Sequence, residues 1–355
     1  MDQTCLDPAY IWNPSLCECV LWGCPDPTAY PTVASWGYTP RPCGALDAVN
    51  RVWWLPQGVF TGSSAFKLSL IGTDPTLPGF GTPTFATDSL GIYSSSAQTD
   101  WSNGISTTWI ADSLGYAMVL GDQGWLSWFD LASKNLVAAA RPSWAPAIGY
   151  YGYGPREVAY DSARSRAYLT VPLQSPFTVV TFSCVPPGLT TDYSFTNSAS
   201  VGEHIAYCPD TDTVYASNSS GTALYHKFNV SSHVFDLDKL PGNGGPSTSL
   251  FYLAGVKLLL VLSSSGLFFV DPLTDSIVAG PVSFGHTMID NAVYNVCKHL
   301  IYVASGSQSG GLDTYDPQNG FAHVHLSNTH INLLAFDQYS NLVFGQDTSG
   351  NIATF

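Results

Sequence analysis

Charge is what this chain has least of. Only 11% of its 355 residues are Asp, Glu, Lys or Arg, against roughly 25% in ordinary globular domains. A protein of long helices clothes its solvent faces in Glu, Lys and Arg, so the shortage argues against that class. Lys and Arg number 12 against 26 acidic residues, a net charge of −14. Nucleic-acid binding needs clustered cations that displace counterions from phosphates, so no nucleic-acid partner is expected. The same deficit disfavours anionic lipid surfaces. No apolar run reaches the roughly 18 residues of a membrane-spanning helix, so no membrane insertion is expected. The opening MDQTCLDPAY has neither the basic nor the apolar segment of a secretory leader. Also missing are the G-x-S-x-G elbow, the H-E-x-x-H zinc motif, the P-loop and the Rossmann glycine fingerprint. No catalytic residue and no cofactor is expected, although groups converging on a central channel would leave no linear motif.

In place of charge stand 32 Gly, 24 Pro and 13% aromatic residues, a composition suited to short strands and tight turns. One pattern organises them. VAYDSARSRAYLTV sets Tyr160 and Tyr168 on either side of a small polar turn. IAYCPDTDTVYAS repeats it with Tyr207 and Tyr215, LFYLAGVKLLLVL with Tyr252 and Leu260, AVYNVCKHLIYVAS with Tyr294 and Tyr302, and LAFDQYSNLVFGQ with Phe336 and Phe344. The first members are 47, 45, 42 and 42 residues apart. Short strands at a period of roughly 40–50 residues mark a β-propeller, one blade per period. A second recurrence follows each hairpin: Asp130 before Ser133, Asp271 before Thr274, Asp316 before Asn319 and, more weakly, Asn229 before Ser232. A carboxylate there accepts from N–H groups two or three residues on, so these acids are expected to shape turns rather than bind metal.

Repeats beginning near 48, 110, 159, 206, 251, 293 and 335 give an all-β, seven-bladed propeller over 45–355, with an insertion between 72 and 106. The last repeat stops one strand short at Phe355. Residues 1–44 form an irregular Cys-, Pro- and Trp-rich N-terminal arm. Its segment 29–38, AYPTVASWGY, alternates suitably to pair beside 351–355 and close the last blade.

IAYCPDTDTVYASN and FFVDPLTDSIVAG resemble the YVTN-type repeat of seven-bladed propellers, a WD40-like unit. The resemblance covers 155–355 well and 45–140 loosely. Its members include surface-layer and cell-surface proteins, quinoprotein-like domains and sugar-lactone enzymes. It therefore implies a fold and leaves the activity open.

Three groups stand out beyond the repeats. Cys5, Cys17, Cys19, Cys24 and Cys43 crowd the arm. They suit disulfides or inter-subunit bridges first, an odd one pairing with another chain or with Cys184, and free thiols second; a zinc site comes third, because C-x-C is not the usual C-x-x-C spacing. His323 and His325 share one face of a strand, with His330 beyond the turn, and three nearby imidazoles suit a metal ion. Exposed positions on an outer strand are the plainer account of them. The aromatics Tyr10, Trp12, Trp22 and Tyr30 in the arm, and Trp144, Tyr150, Tyr151 and Tyr153 before the third repeat, suit burial on a partner or stacking on sugar rings. The expected function is a non-enzymatic structural propeller, a virion-surface or extracellular component of an oligomeric assembly that contacts other structural subunits and surface glycans. Its composition is similar to that of phage tail, neck and fibre proteins. A propeller hydrolase or lactonase, or a carbohydrate-binding propeller, is the alternative.

Overall fold

The computed structural model describes residues 10–13, 18–21, 44–57, 67–87, 105–121, 126–140, 158–171, 177–186, 191–197, 201–218, 223–232, 234–239, 247–286, 288–305 and 310–355. In the arm, β1 (Tyr10–Asn13) and β2 (Glu18–Leu21) pair as an antiparallel hairpin. The remainder is a succession of antiparallel meanders. The first is β3 (Ala45–Asp47), β4 (Val52–Gln57), β5 (Lys67–Gly72) and β6 (Pro83–Phe85). Then come β7 (Ile105–Ala111), β8 (Tyr116–Gly121), β9 (Leu126–Asp130) and β10 (Leu136–Ala140), followed by β11 (Ala159–Asp161), β12 (Arg166–Val171), β13 (Phe177–Ser183) and β14 (Thr191–Asn197). The fourth is β15 (Val201–Cys208), β16 (Thr213–Asn218), β17 (Tyr225–Asn229) and β18 (Val234–Lys239). The fifth is β19 (Ser247–Leu253), β20 (Leu258–Ser263), β21 (Gly266–Asp271) and β22 (Ser276–Val282). The sixth is β23 (Asn291–Asn295), β24 (Leu300–Ser305), β25 (Gly311–Asp316) and β26 (Ala322–Ser327); the last is β27 (Ile331–Asp337), β28 (Leu342–Asp347) and β29 (Ile352–Thr354).

This is a β-propeller, with one correction to the expected blade count. Six sheets are complete four-stranded blades, while the last has three strands. In that last sheet β27, β28 and β29 pair in order, and no fourth strand joins them among the described residues. The closing segment 29–38 lies outside the described residues. Part of the expected 72–106 insertion is also reassigned, because 83–85 is the outer strand β6 of the first blade. Among the described residues, no helix is long and apolar enough to cross a membrane.

Burial explains the strand sequences. A second strand sits inside its blade with a neighbouring blade on each face, so both faces must be apolar. β20 (LLLVLS) and β16 (TVYASN) are buried along their whole length. An outer strand faces water, and in β26 (AHVHLS) five of six residues are exposed. The hairpin joining first to second strand has the same shape in every sheet. Its fourth turn residue has positive φ, at Arg51, Gly115, Ser165, Asp212, Lys257, His299 and Asn341. The acids expected to shape the later turns do so: Asp130 Oδ1 accepts from the Ser133 amide at 2.6 Å, Asp271 Oδ1 from Leu273 at 2.8 Å and Asp316 Oδ1 from Gln318 at 2.9 Å.

Each pair of successive sheets encloses its own apolar core, and the chain of cores closes on itself. Trp53 and Trp54 are adjacent on β4 and point to opposite faces. Trp54 packs with Phe129 of the second blade at 6.2 Å between ring centroids, and Trp53 with Phe344 of the last sheet at 6.3 Å. Leu333, Leu342 and Ile352 complete the core around Trp53. Both tryptophans are fully buried. Removing a buried Trp costs about 3–5 kcal/mol. Trp53→Ala should therefore lower stability by about that amount in urea unfolding, with 331–355 losing amide protection ahead of the fourth and fifth blades in hydrogen exchange.

Candidate functional site

Three regions of the propeller carry polar chemistry: the axial channel, the face of first-to-second-strand turns, and the rim of the sixth blade. The channel follows from the topology, because the first strand of every sheet faces the axis. Thr107, Thr108, Tyr160, Tyr207, Tyr252 and Asn291, from β7, β11, β15, β19 and β23, line a cavity of about 280 Å³. A second cavity of about 350 Å³, lined by Leu46, Gly255, Tyr294 and Phe336 among others, continues towards the turns. No Asp, Glu, His, Lys or Arg is among the described lining residues. Burial pushes the Tyr160 hydroxyl up to about 12, and burial likewise raises those of Tyr207 and Tyr252. These phenols stay protonated near neutrality and offer hydrogen bonds and ring faces rather than proton transfer.

The aromatics that set the sequence period tie each turn to the next blade. Tyr160 Oη and Ser113 Oγ of the preceding blade are 2.8 Å apart. Arg164 Nη1 donates to Tyr207 Oη at 3.2 Å, and Tyr252 Oη donates to Asp210 Oδ2 at 3.0 Å. A Cβ on Gly255 would lie 2.7 Å from Tyr294 Cδ1, so that ring needs a glycine in the preceding turn. Charged contacts follow the same path. Arg164 bridges Asp161 at 2.7 Å and Asp212 at 2.7 Å. Arg51 of the first blade bridges its own Asp74 at 2.6 Å and Asp337 of the last sheet at 2.7 Å, across the ring closure. Burial pushes the Asp212 carboxyl up, but hydrogen bonds from Ser231, Arg164 and Tyr207 outweigh it and hold the group below its ordinary value. Asp74 is lowered in the same way: burial opposes, and the side chain and amide of Thr76 together with Arg51 prevail.

The rim of the sixth blade holds a denser cluster. Asp313 on β25 is buried, and three imidazoles converge on its carboxylate. His323 Nε2 lies 2.8 Å from Oδ1, His325 Nδ1 lies 2.9 Å from Oδ1, and His286 Nε2 lies 3.0 Å from Oδ2. The strand register builds this. Asp313 pairs directly with His325, and Tyr315 with His323, whose ring stacks on it at 5.0 Å. His286 enters from the connection between the fifth and sixth blades, edge-on to Phe284 at 4.8 Å. Burial raises the Asp313 carboxyl, yet the histidine hydrogen bonds and charges hold it below its ordinary value. Hydrogen bonds to Asp313 and Asn328 raise the His325 imidazole.

Of the expected site residues, the structure brings His323 and His325 together on the outer strand, as their spacing implied. It corrects two points. His330 does not belong to the group; it stands before β27, its carbonyl accepting from the Thr348 amide. The pair is also more than exposed polar surface, because both rings bond the buried Asp313. Sequence reasoning missed His286 and Asp313. A signal for Asp313 was available: the turn that pairs Asp316 with Ala322 carries the register forward to Asp313 and His325. Nothing local marks His286.

The partner-binding expectations at Trp22, Tyr30, Trp144, Tyr150, Tyr151 and Tyr153 lie outside the described residues. So do the side chains of Tyr10, Trp12 and Cys19, and all of Cys5, Cys17, Cys24 and Cys43. Cys184 and Cys208 are buried free thiols, and burial pushes Cys184 up to about 12. Cys297, expected to be an ordinary small buried residue, is half-buried.

No family model matches the chain. No curated protein matches it either. Among solved structures, a chain of the crystal structure of the mitotic checkpoint complex is similar, with a TM-score of 0.66 and 10% identity, over 94% of this chain and 96% of that one. At that identity the likeness is one of fold alone.

The depressed carboxyls set an acid limit. A carboxyl whose folded pKa lies below its unfolded value, 3.8 for Asp212 and Asp313, stabilises the fold above that pH and loses the contribution as pH falls through the folded pKa. The urea midpoint should hold down to about pH 4 and then decline. Arg164→Met removes the cation shared by Asp161 and Asp212. It should cost roughly 1–3 kcal/mol at neutral pH and flatten part of the acid decline, read from urea midpoints across a pH series.

Proposed function

We propose that this chain is a protein-interaction propeller, a structural subunit that joins a larger assembly through its rim. The carrying observation is where apolar surface is exposed. Phe85 on β6, Val137 on β10, Val234 on β18, Val278 on β22, and Val324 and Leu326 on β26 are between 44% and 56% exposed. All lie on the fourth strands of their blades, and every fourth strand with described side chains carries at least one; the other exposed large apolar residues, Val49, Leu77, Val185 and Leu273, lie in turns and connections. Outer strands also present unpaired backbone N–H and C=O groups, a template for an added strand. Apolar side chains beside such an edge suit a partner that offers an extended apolar segment.

The channel favours the same reading over an enzyme. Its described lining supplies threonines, tyrosines and an asparagine, and hydrolytic chemistry needs a base, a nucleophile or a metal. The similar solved chain comes from a complex of proteins, which fits an interaction role without naming a partner. We further propose an extracellular or virion-surface setting, with surface glycans as secondary contacts of the Tyr- and Trp-rich loops. The sparse charge supports this, and a disulfide at Cys297 would fit it, because such bonds persist in oxidising surroundings.

Two measurements test these proposals. Aspartate at Val137, Val234 and Val278 together should leave the urea midpoint within about 0.5 kcal/mol per site, while abolishing incorporation of the chain into the assembly made by its native source. Undiminished incorporation, or turnover of a lactone or ester by the wild-type chain, would overturn the interaction reading. Alkylation before reduction should label Cys184 and Cys208 only in urea and leave Cys297 unlabelled until a reductant is added; rapid labelling of Cys297 in the untreated protein would remove the support for an oxidising setting.

A further inference from the structure

The cluster at the rim of the sixth blade has the makings of a metal centre. We propose that His286, Asp313 and His325, assisted by His323, bind one divalent transition-metal ion of the zinc class. The ligand atoms of His286, Asp313 and His325 all lie within 4.8 Å of one another. Their nitrogen-to-oxygen separations to Asp313 are 2.9 and 3.0 Å. Zinc holds such atoms at about 2.0–2.2 Å, which sets the edge of its tetrahedron near 3.4 Å. Those two edges therefore widen by a few tenths of an ångström as an ion enters. The donor set selects the metal class. Imidazole nitrogens with one carboxylate suit zinc, copper, nickel or iron, whereas calcium and magnesium call for oxygens.

The surroundings point the same way. His325 Nε2 lies 2.9 Å from Asn328 Oδ1. A carbonyl accepting from Nε2–H fixes the proton there and leaves Nδ1 as the nitrogen facing the site, the usual outer support of a metal-bound histidine. His286 supplies an independent observation. Its side chain is 9% exposed, and its Nδ1 is buried without a hydrogen-bond partner. The ring's polar engagement is with Asp313 alone, so ordinary satisfaction of a core histidine does not explain its place. Access is open, because His323 and His325 are each 39% exposed. Water can complete the coordination sphere without opening the core.

Binding exchanges protons for metal. The N–H groups now pointing at Asp313 must give up their protons, so affinity falls as pH falls and protons are released on loading. The ion would link the connection leaving the fifth blade to both outer strands of the sixth, clamping the rim where Val324 and Leu326 are exposed.

The test uses the full chain, stripped with a chelator and titrated with Co²⁺ and Zn²⁺. One Co²⁺ per chain should bind and give ligand-field absorption without a sulfur charge-transfer band. His325→Ala, at a half-exposed position that leaves the core intact, should weaken binding at least a hundredfold. Asp313→Asn and His286→Ala should do the same, and His330→Ala should have no effect. Zn²⁺ should raise the melting temperature of the wild type and leave that of His325→Ala unchanged. Failure of the wild type to bind either ion would overturn the proposal. So would full affinity in His325→Ala, or a thiolate charge-transfer band, which would move the ion to cysteines.

Discussion

The ring depends on one contact, the burial of Trp53 against Phe344 and Leu333. Every other interface joins sheets consecutive in sequence, and each such contact forms at modest loop-closure cost. Closure is different, because it joins β4 to β27 and β28, almost the whole length of the chain apart. Until it forms, the first and last sheets each expose an apolar face. The adjacent pair Trp53 and Trp54 makes closure as strong as any internal interface, one indole turned to each neighbour. The ion pair of Arg51 with Asp337 lies on the same seam, with Asp337 almost fully buried. The apolar contact carries the energy, and the ion pair fixes the register of the two turns. Desolvation of the buried Asp337 offsets much of the Coulombic gain of such a pair.

The turn face reads as the same problem solved locally. A disc of sheets resists sliding only if each blade is keyed to the next. The recurrent aromatic supplies that key, and at Tyr160, Tyr207 and Tyr252 its hydroxyl bonds the preceding turn. That is why it recurs with the period of the fold. The same placement puts tyrosines in the channel wall, where burial keeps them protonated. Structural demand thus accounts for the channel lining, and the unexplained chemistry lies at the rim, where no inter-blade role requires three histidines around one carboxylate.

The rim also concentrates what the interior cannot absorb. Second strands are buried on both faces and have no freedom to carry function. Outer strands have one free face and one free edge, and there the chain places exposed valines, leucines and the histidine pair. An interaction surface and a metal clamp on one outer strand, β26, are compatible: an ion that rigidifies the edge lowers the ordering cost of docking against it.

By itself, the sequence determined the period, the strand content and the turn chemistry. These are local properties: alternation, continuous apolar runs and an acid at a fixed offset act over a few residues, as Asp130, Asp271 and Asp316 show. It also placed His323 and His325 on one face of an outer strand. Tertiary structure alone decided what those histidines meet. Asp313 is reached through hairpin register, and His286 arrives from another blade's connection, 27 residues before Asp313, a proximity that no spacing encodes. The blade count divided in the same way. Seven repeats are legible in the residues, but a blade is complete only when its fourth strand pairs. Pairing is a long-range event, and it leaves six complete blades and one three-stranded sheet among the described residues.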